Sequence, residues 1–199
     1  MVRADLMHAL RTARLLLRPP HAELAEAVAD FLRRNSAHFA PWDPPRPAGL
    51  HTVAHQRDLL ASQALAQANG SAYRWFLTRH DAPQVVIGSA SLSNVARGPH
   101  QGASLGYALD AASQGAGLMH EALQAVVGEA FGPLNLHRLQ AAVRPENARS
   151  AAVLQRLGFR EVGLARDYLF IDGAWRDHVL TELTHPDFVL PPEWVRAPR

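Results

Sequence analysis

The chain contains no cysteine among its 199 residues. This absence excludes disulfides, thiolate nucleophiles, zinc ribbons and iron–sulfur clusters, all of which need cysteine sulfur. The chain also contains no lysine, because all 20 residues counted as Lys or Arg are arginine. Lysine Schiff-base chemistry and the lysine-containing phosphate loop of P-loop nucleotidases are therefore excluded.

Long hydrophobic runs are missing as well. No run of apolar residues approaches the roughly 18 that a membrane span requires, and the N-terminal segment lacks the apolar centre of a secretory signal. Apolar residues make up 48% and charged residues 19% of the chain, which is ordinary for a globular protein. We expect one domain over residues 1–199, with its core at about 14–188, in the cytoplasm and without a membrane partner.

The excess of positive charge is small, with a formal net charge of +2 at pH 7. The arginines are scattered along the chain rather than gathered in one segment, which argues against a DNA-binding stripe. We therefore expect no direct sequence-specific binding to nucleic acid.

Apolar periodicity and turn residues predict alternating helices and strands. Helices are expected at 22–34, 52–68, 118–131 and 148–157, and strands at 14–18, 72–79, 84–92, 103–109 and 138–143. Two closing strands are expected to join at Asp172-Gly173, a strong hairpin signal. The proline-rich loop at 41–47 either covers a substrate groove or simply connects two helices.

Three motifs fit familiar chemistry poorly. Ser104 lies in a G-x-S-x-G match, but the alternation continues through Leu109, whereas a nucleophile elbow turns directly into a helix. Gly115-Ala116-Gly117 begins like a dinucleotide fingerprint, yet His120 occupies the position of its third glycine. His51 and His55 have metal-ligand spacing, but no third ligand is evident nearby, so we predict no metal site.

The most informative segment runs from a strand at 105–109 into a helix through Gln114-Gly115-Ala116-Gly117-Leu118-Met119. Such a turn directs several backbone N–H groups at one point, where they can hold a pyrophosphate. A second helix N-terminus follows the next strand, with Asn147 as its natural N-cap.

With these neighbours, the chain resembles the GNAT superfamily of acetyl-CoA-dependent N-acetyltransferases, and within it the ribosomal-protein-alanine N-acetyltransferases of RimJ type. The resemblance covers most of the chain from about Arg14 to Phe188. The segments that carry it are 93–98, Leu105-Gly106-Tyr107, 114–119 with 121–123, Asn147 with Arg149-Ser150, 156–159, and 167–178. The segment from Asp167 to Leu180 is the most specific to the RimJ type.

The resemblance implies an α/β (α+β) GNAT fold: a bent, mixed, mostly antiparallel sheet of about seven strands, flanked by helices and splayed at an acetyl-CoA slot. It implies that the strand of Leu105 and Tyr107 pairs with the pantetheine arm. The residues expected to bind the rest of the acyl donor are Gln114, Gly115, Ala116, Gly117, Leu118, Met119 and Asn147.

Acetyl transfer to an amine requires a proton acceptor, a donor to the oxyanion and a proton for the departing thiolate. The resemblance places an acidic residue at Asp167, which we hypothesise accepts the amine proton directly or through a water. It makes Ser150 the candidate proton donor, with Tyr168 in reserve. A backbone donor on the strand of Tyr107 is expected to stabilise the oxyanion.

The resemblance implies that the acceptor is the N-terminal alanine of a ribosomal protein. Fold does not fix substrate, so a small-molecule amine remains open as the acceptor. A binding or regulatory protein that works through contacts with ribosomes is the alternative from a different class. Cofactor binding without any transfer would favour that second class.

Overall fold

The computed structural model describes residues 8–45 and 47–194. Within these ranges the helices are α1 (Ala25–Arg34), α2 (Ser36–Phe39), α3 (Val53–Ala68), α4 (Leu118–Phe131) and α5 (Ala148–Arg156). The strands are β1 (Leu10–Arg11), β2 (Leu15–Arg18), β3 (Tyr73–Arg79), β4 (Ala82–Ala96), β5 (Gly102–Leu109), β6 (Arg138–Val143), β7 (Arg160–Ile171) and β8 (Ala174–Thr184). Short 3-10 turns lie at Ala22–Leu24, Ala111–Ser113 and Pro192–Trp194.

The strands form one sheet in the order β1-β2-β3-β4-β5-β6-β8-β7. Neighbouring strands are antiparallel except β5 and β6, which are parallel. The expected mixed, mostly antiparallel sheet is confirmed, with eight strands in the described part of the chain instead of about seven.

The sheet opens between β5 and β6. Strand β5 pairs with β4 from Gly102 to Leu109, but its pairing with β6 ends at Ser104, opposite Gln140. Beyond that point β6 continues beside β8 as far as Val143. The second half of β5 therefore turns one edge away from any strand in the described residues, which is the splay that the resemblance implies.

Helix α4 covers one face of the sheet beside this opening. Its buried residues recur at helical spacing, so one stripe of the helix faces the sheet; they are Leu118, Met119, Ala122, Leu123, Val126 and Ala130. The stripe joins a core that includes Trp75, Leu77 and Leu139. A second core, formed by α1, α2, α3 and the other face of β3 and β4, contains Phe31, Leu60 and Phe76.

Most predicted elements are confirmed within one to three residues, and α4 and β6 have the predicted bounds. Strand β4 is longer than predicted and extends to Ala96. Strand β1 and helix α2 were not predicted, because two and four residues are too few to show a period. Asp172 and Gly173 both have positive φ, as the β7–β8 hairpin turn requires.

None of the helices in residues 8–45 and 47–194 has the length and apolar character that a membrane crossing requires. The organisation of residues 1–199 as one domain stays a prediction.

Candidate active site

A cavity of about 670 Å³ lies beside the second half of β5, past the point where β6 leaves it. Its walls come from β5, the loop before α4, the start of α4, helix α5 and the segment around α2. A volume of this size is typical of sites that bind small molecules.

Two glycines shape the loop at one end of the cavity. Gly115 and Gly117 have φ values of +81° and +74°, a left-handed conformation that glycine adopts without the penalty other residues pay. Gly117 is also the N-cap of α4. The loop therefore meets the positive end of the α4 dipole, where bare N–H groups bind anions.

Arg14 fixes this loop from outside the cavity. Its Nη1 donates to the carbonyl oxygen of Ala116 at 2.9 Å, and its Nε donates to Glu121 Oε2 at 2.6 Å. Burial raises the pKa of Glu121, but hydrogen bonds from Thr12 and Arg14 outweigh that effect and hold the pKa below its ordinary value. Glu121 is therefore ionised at neutral pH and anchors Arg14 against the loop.

The lining of the cavity also carries positive charge. Arg149 and Arg156 line it, and Arg149 Nη1 donates to Gln114 Oε1 at 2.7 Å. The Gln114 amide nitrogen lies 2.9 Å from His38 Nε2, across the cavity wall. His120 lines the same end, and its buried Nδ1 has no hydrogen-bond partner among the described residues. Two guanidinium groups beside a helix N-terminus fit a ligand with several phosphates.

A hydroxyl pair lies against the cavity at β5 and α5. Tyr107 Oη is 2.7 Å from Ser150 Oγ and 3.2 Å from the Ser150 carbonyl oxygen. Burial raises the pKa of Tyr107 to about 12, with the hydrogen bond to Ser150 lowering it in part. Asn147 caps α5 by accepting a hydrogen bond from the Ser150 N–H at 3.1 Å. The pair is therefore protonated at neutral pH and held by the first turn of α5.

The proline-rich loop contributes to the wall. Trp42 and Asp43 line the cavity, and Arg144 donates to the carbonyl oxygen of Pro41. The Arg144 guanidinium also lies over the Trp42 ring, 5.5 Å from its centroid. Residues 41–43 thus form part of the site, which favours the interpretation that this loop covers a groove.

A second cavity, of about 370 Å³, lies next to the first. Both are lined by Phe39, Asp43, Tyr107 and Ala108. The remaining lining of the second cavity comes from α1, α3, the loop before α3, and strands β3 to β5. Tyr107 and Asp43 are therefore the lining residues with polar side chains that the two cavities share.

Most of the residues predicted from the sequence line the first cavity; they are Tyr107, Gln114, Gly115, Gly117, Leu118, Met119, Asn147 and Ser150. Leu105 is 5% exposed within the core, and Ala116 is exposed on the outer side of the loop. Neither of these two side chains belongs to the lining.

Asp167 and Tyr168 lie on β7, outside the lining of both cavities. Asp167 has a φ of +46° and donates its backbone N–H to Asp177 Oδ1 at 2.9 Å. Tyr168 is 44% exposed and its ring lies 5.5 Å from that of His178. Their catalytic roles stay predictions.

Sequence reasoning did not assign several polar or charged residues of the lining to the site; among them are Asp43, Arg149, Arg156 and His38. Arg149 could have been found, because it lies between Asn147 and Ser150 in the same motif. Asp43 and His38 could not, because only the fold brings the segment after α1 to β5. Within the described residues, no group of three His, Asp or Glu side chains is arranged to hold a metal ion.

Residues 14–160 match the family model for the acetyltransferase (GNAT) domain. The chain is 40% identical to the ribosomal protein uS5-alanine N-acetyltransferase of Escherichia coli (strain K12) over 179 residues, which cover 90% of this chain and 92% of that protein. It is also similar to the crystal structure of the ribosomal-protein-S5-alanine acetyltransferase from Vibrio fischeri, with 32% identity and a TM-score of 0.88. That match covers 92% of this chain and the whole of the other.

A further solved structure is Mycobacterium smegmatis RimJ in complex with CoA-disulfide. It is 31% identical, with a TM-score of 0.82, and the match covers 89% of this chain and 86% of that one. These similarities extend over nearly all of the described residues.

Proposed function

Since this chain belongs to the GNAT acetyltransferase family, we propose that it transfers the acetyl group of acetyl-CoA to the α-amino group of an N-terminal alanine on a ribosomal protein. The observation that carries the proposal is the cavity with a phosphate-binding loop at one end and the Tyr107–Ser150 hydroxyl pair in its lining. The identity with an enzyme named for the uS5 alanine supports the choice of acceptor. With a ribosomal protein as the acceptor, the reaction would take place in the cytoplasm.

The donor, acetyl-CoA, fits the lining of the first cavity. The N–H groups of the loop from Gly115 to Met119 and the α4 dipole would hold the pyrophosphate. Arg149 and Arg156 add positive charge, so a chain without lysine can still bind a ligand rich in phosphate. The unpaired edge of β5 would bind the amide groups of the pantetheine arm.

The reaction is direct attack of a neutral amine on the thioester. A bond forms between the amine nitrogen and the acetyl carbonyl carbon, and the bond from that carbon to sulfur breaks. The nitrogen releases one proton and the departing sulfur acquires one. The α-amine of a peptide has a pKa of about 7.7–8.0, so a useful fraction is already neutral near pH 7.

The departing thiolate needs a hydrogen-bond donor, and we assign that role to Ser150. When Ser150 directs its hydroxyl hydrogen to the sulfur, Tyr107 can donate to Ser150 Oγ, 2.7 Å away. Because the pKa of Tyr107 is raised to about 12, this hydroxyl keeps its proton throughout the working pH range. The oxyanion would accept a hydrogen bond from a backbone N–H of β5.

For the amine proton we retain Asp167, acting directly or through a water, as the proposed acceptor. The position of Asp43 in the lining of both cavities adds a second candidate, which depends on a different segment of the chain. Tyr168 stays the reserve donor to the thiolate. Substituting each aspartate in turn shows which of the two candidates accepts the amine proton.

The direct test is acetyl transfer from acetyl-CoA to a synthetic peptide that begins with alanine. Mass spectrometry should find one acetyl group on the N-terminal nitrogen, with one free thiol released per transfer. The same peptide with a blocked N-terminus is the control. Preference for a small amine over the peptide, or donor binding without transfer in a single turnover, would contradict the proposal.

The ribosomal acceptor is tested in cells with and without this protein. We expect one ribosomal-protein N-terminus to lose its acetyl group when the protein is removed. An unchanged acetylation pattern of all ribosomal-protein N-termini would count against the ribosomal substrate, even if the alanine peptide is acetylated in vitro.

A further inference from the structure

The second cavity lies beside the first and shares the lining residues Phe39, Asp43, Tyr107 and Ala108 with it. It lies on the face of the sheet covered by α1 and α3, and the two cavities meet at Tyr107 and Ala108. Gly115 and Gly117 line only the first cavity. An acceptor in the second cavity can therefore approach the Tyr107–Ser150 pair without crossing the phosphate-binding loop.

The walls of the second cavity combine apolar side chains with the polar residues Asp43, Gln56, Gln63, Arg74, Ser89 and Ser91. The apolar side chains come from α1, the loop before α3, α3 and β3; they include Val28, Phe31, Leu32, Leu50, Leu59 and Phe76. The apolar part of this lining suits a short segment with small side chains. An N-terminus that begins with alanine has this character.

Two glutamines of α3, Gln56 and Gln63, line the cavity, and they differ in their hydrogen bonding. Gln63 Oε1 is shielded from solvent without a hydrogen-bond partner among the described residues. Two other glutamines of α3 have partners. Gln56 Nε2 donates to the Leu50 carbonyl oxygen at 2.6 Å, and Gln67 Oε1 accepts from the Arg74 N–H at 3.3 Å.

A buried acceptor without a donor is costly to a folded protein, and such groups are rare in native structures. The Gln63 oxygen can therefore accept a hydrogen bond from an N–H of a bound ligand. A peptide supplies such an N–H at a fixed distance from its α-amine, whereas a simple primary amine does not.

We propose that the second cavity binds the first residues of the acceptor peptide and that Gln63 Oε1 accepts a hydrogen bond from the N–H of the second residue. This assignment rests on the proposed acetyltransferase function and makes Gln63 a residue that selects peptides over simple amines. Gln63 acts on acceptor binding and takes no part in proton transfer.

The first test replaces Gln63 by leucine, which keeps the approximate size of the side chain and removes its hydrogen bonds. Gln63→Leu should raise KM for an alanine peptide by roughly fivefold to tenfold, the range for one lost hydrogen bond. It should leave kcat and KM for acetyl-CoA unchanged, and should not lower the melting temperature, because no intramolecular hydrogen bond is lost. Gln84→Leu, at an exposed glutamine outside both cavities, is the matched control.

The second test changes the substrate, so that it does not depend on the folding of a variant. An acceptor with an ester in place of its first peptide bond lacks the N–H in question. At a pH above the pKa of both α-amines, the wild-type protein should show the same fivefold to tenfold rise in KM for the ester. Gln63→Leu should not distinguish the ester from the amide.

Equal KM values for amide and ester in the wild-type protein overturn the assignment to Gln63. They leave the proposed function standing, provided that the alanine peptide is acetylated. Absence of transfer to any alanine peptide overturns the proposed function itself and this assignment with it.

Discussion

The hydroxyl oxygens of Tyr107 and Ser150 lie 2.7 Å apart, although 43 residues separate them in the chain. One is carried by the strand at which the sheet opens and the other by the first turn of α5. Either oxygen can act as donor, so the proton positions can shift without movement of the backbone. This freedom suits the proposed role of the pair, which is to supply a hydrogen bond when the sulfur departs.

Ser150→Ala should reduce kcat for an alanine peptide at least roughly tenfold, about 1.4 kcal/mol of barrier. The substitution removes the donor to the thiolate but keeps the backbone N–H that Asn147 caps, so the melting temperature should change little. Steady-state kinetics with a thiol-detecting reagent provide the measurement.

Tyr107→Phe should reduce kcat less than Ser150→Ala, because it removes only the partner of the donor. In the double variant the two losses should not add, since Tyr107 acts through Ser150. Additive losses would mean that the two hydroxyls act separately.

The substitutions Asp167→Asn and Asp43→Asn distinguish which of the two carboxylates accepts the amine proton. If Asp167 accepts the amine proton, Asp167→Asn should lower kcat/KM at least roughly tenfold, and Asp43→Asn should lower it much less. In the wild-type protein, kcat/KM should rise about tenfold per pH unit below the pKa of the amine, because the neutral form is the nucleophile. A large loss for Asp43→Asn alone would transfer the role to Asp43.

Gly117→Ala should weaken binding of acetyl-CoA and destabilise the fold by about 1–2 kcal/mol, because an L-residue resists a φ of +74°. Steric crowding does not cause this destabilisation, since the nearest atom to an added Cβ is Arg14 Nη2 at 3.7 Å. Gly128→Ala is the matched control. It lies inside α4 with no atom within 4 Å of the added Cβ, and should stabilise the protein by about 0.5–1 kcal/mol. Thermal unfolding and titration with coenzyme A measure both effects.

Asp110 should make the free energy of unfolding depend on pH under acidic conditions. Burial raises its pKa, but hydrogen bonds from the Ala112 N–H and the Arg34 guanidinium outweigh it and hold the pKa below the ordinary 3.8. Because the folded value is the lower one, the stabilisation is present above 3.8 and is lost as pH falls through the folded pKa. Asp110→Asn should thus cost about 2 kcal/mol at pH 7.

Urea unfolding at pH 7 and near pH 2 checks this prediction, because the difference between Asp110→Asn and the wild-type protein should shrink in acid. Asp81→Asn is the control, since Asp81 is 74% exposed in its pair with Arg79 and such surface pairs contribute little. A constant difference at both pH values would contradict the role of the Asp110 charge.

Local signals made much of the fold predictable. The bounds of α4 follow from Gly117 before it and an apolar stripe within it, and the hairpin turn follows from Asp172 and Gly173. The conformation of the loop from Gln114 to Met119 was predictable for the same reason, because strand, glycines and helix are adjacent in sequence. Strand β1 was not predicted, because its two residues form a strand only through their pairing with β2 in the folded sheet.

The acceptor side of the site was not predictable in this way. Asp43 and Gln63 come from segments that no motif connects to β5, and Arg144 reaches the loop at Pro41 across 103 residues. Only the packing of α1 and α3 on the sheet brings these groups together. For Asp167, the resemblance alone suggested a role as acceptor of the amine proton, and the kinetics of Asp167→Asn test that role.

The early end of the β5–β6 pairing has a thermodynamic consequence. Past Ser104, the backbone N–H and C=O groups on one edge of β5 have no partner strand in the described residues. The two amides of a pantetheine arm can pair with this edge as a short ninth strand would. Donor binding then completes the sheet, so the free energy of unfolding should rise with the logarithm of donor concentration once Kd is exceeded. With acetyl-CoA as the proposed donor, the protein's resistance to unfolding would then depend on the concentration of acetyl-CoA around it.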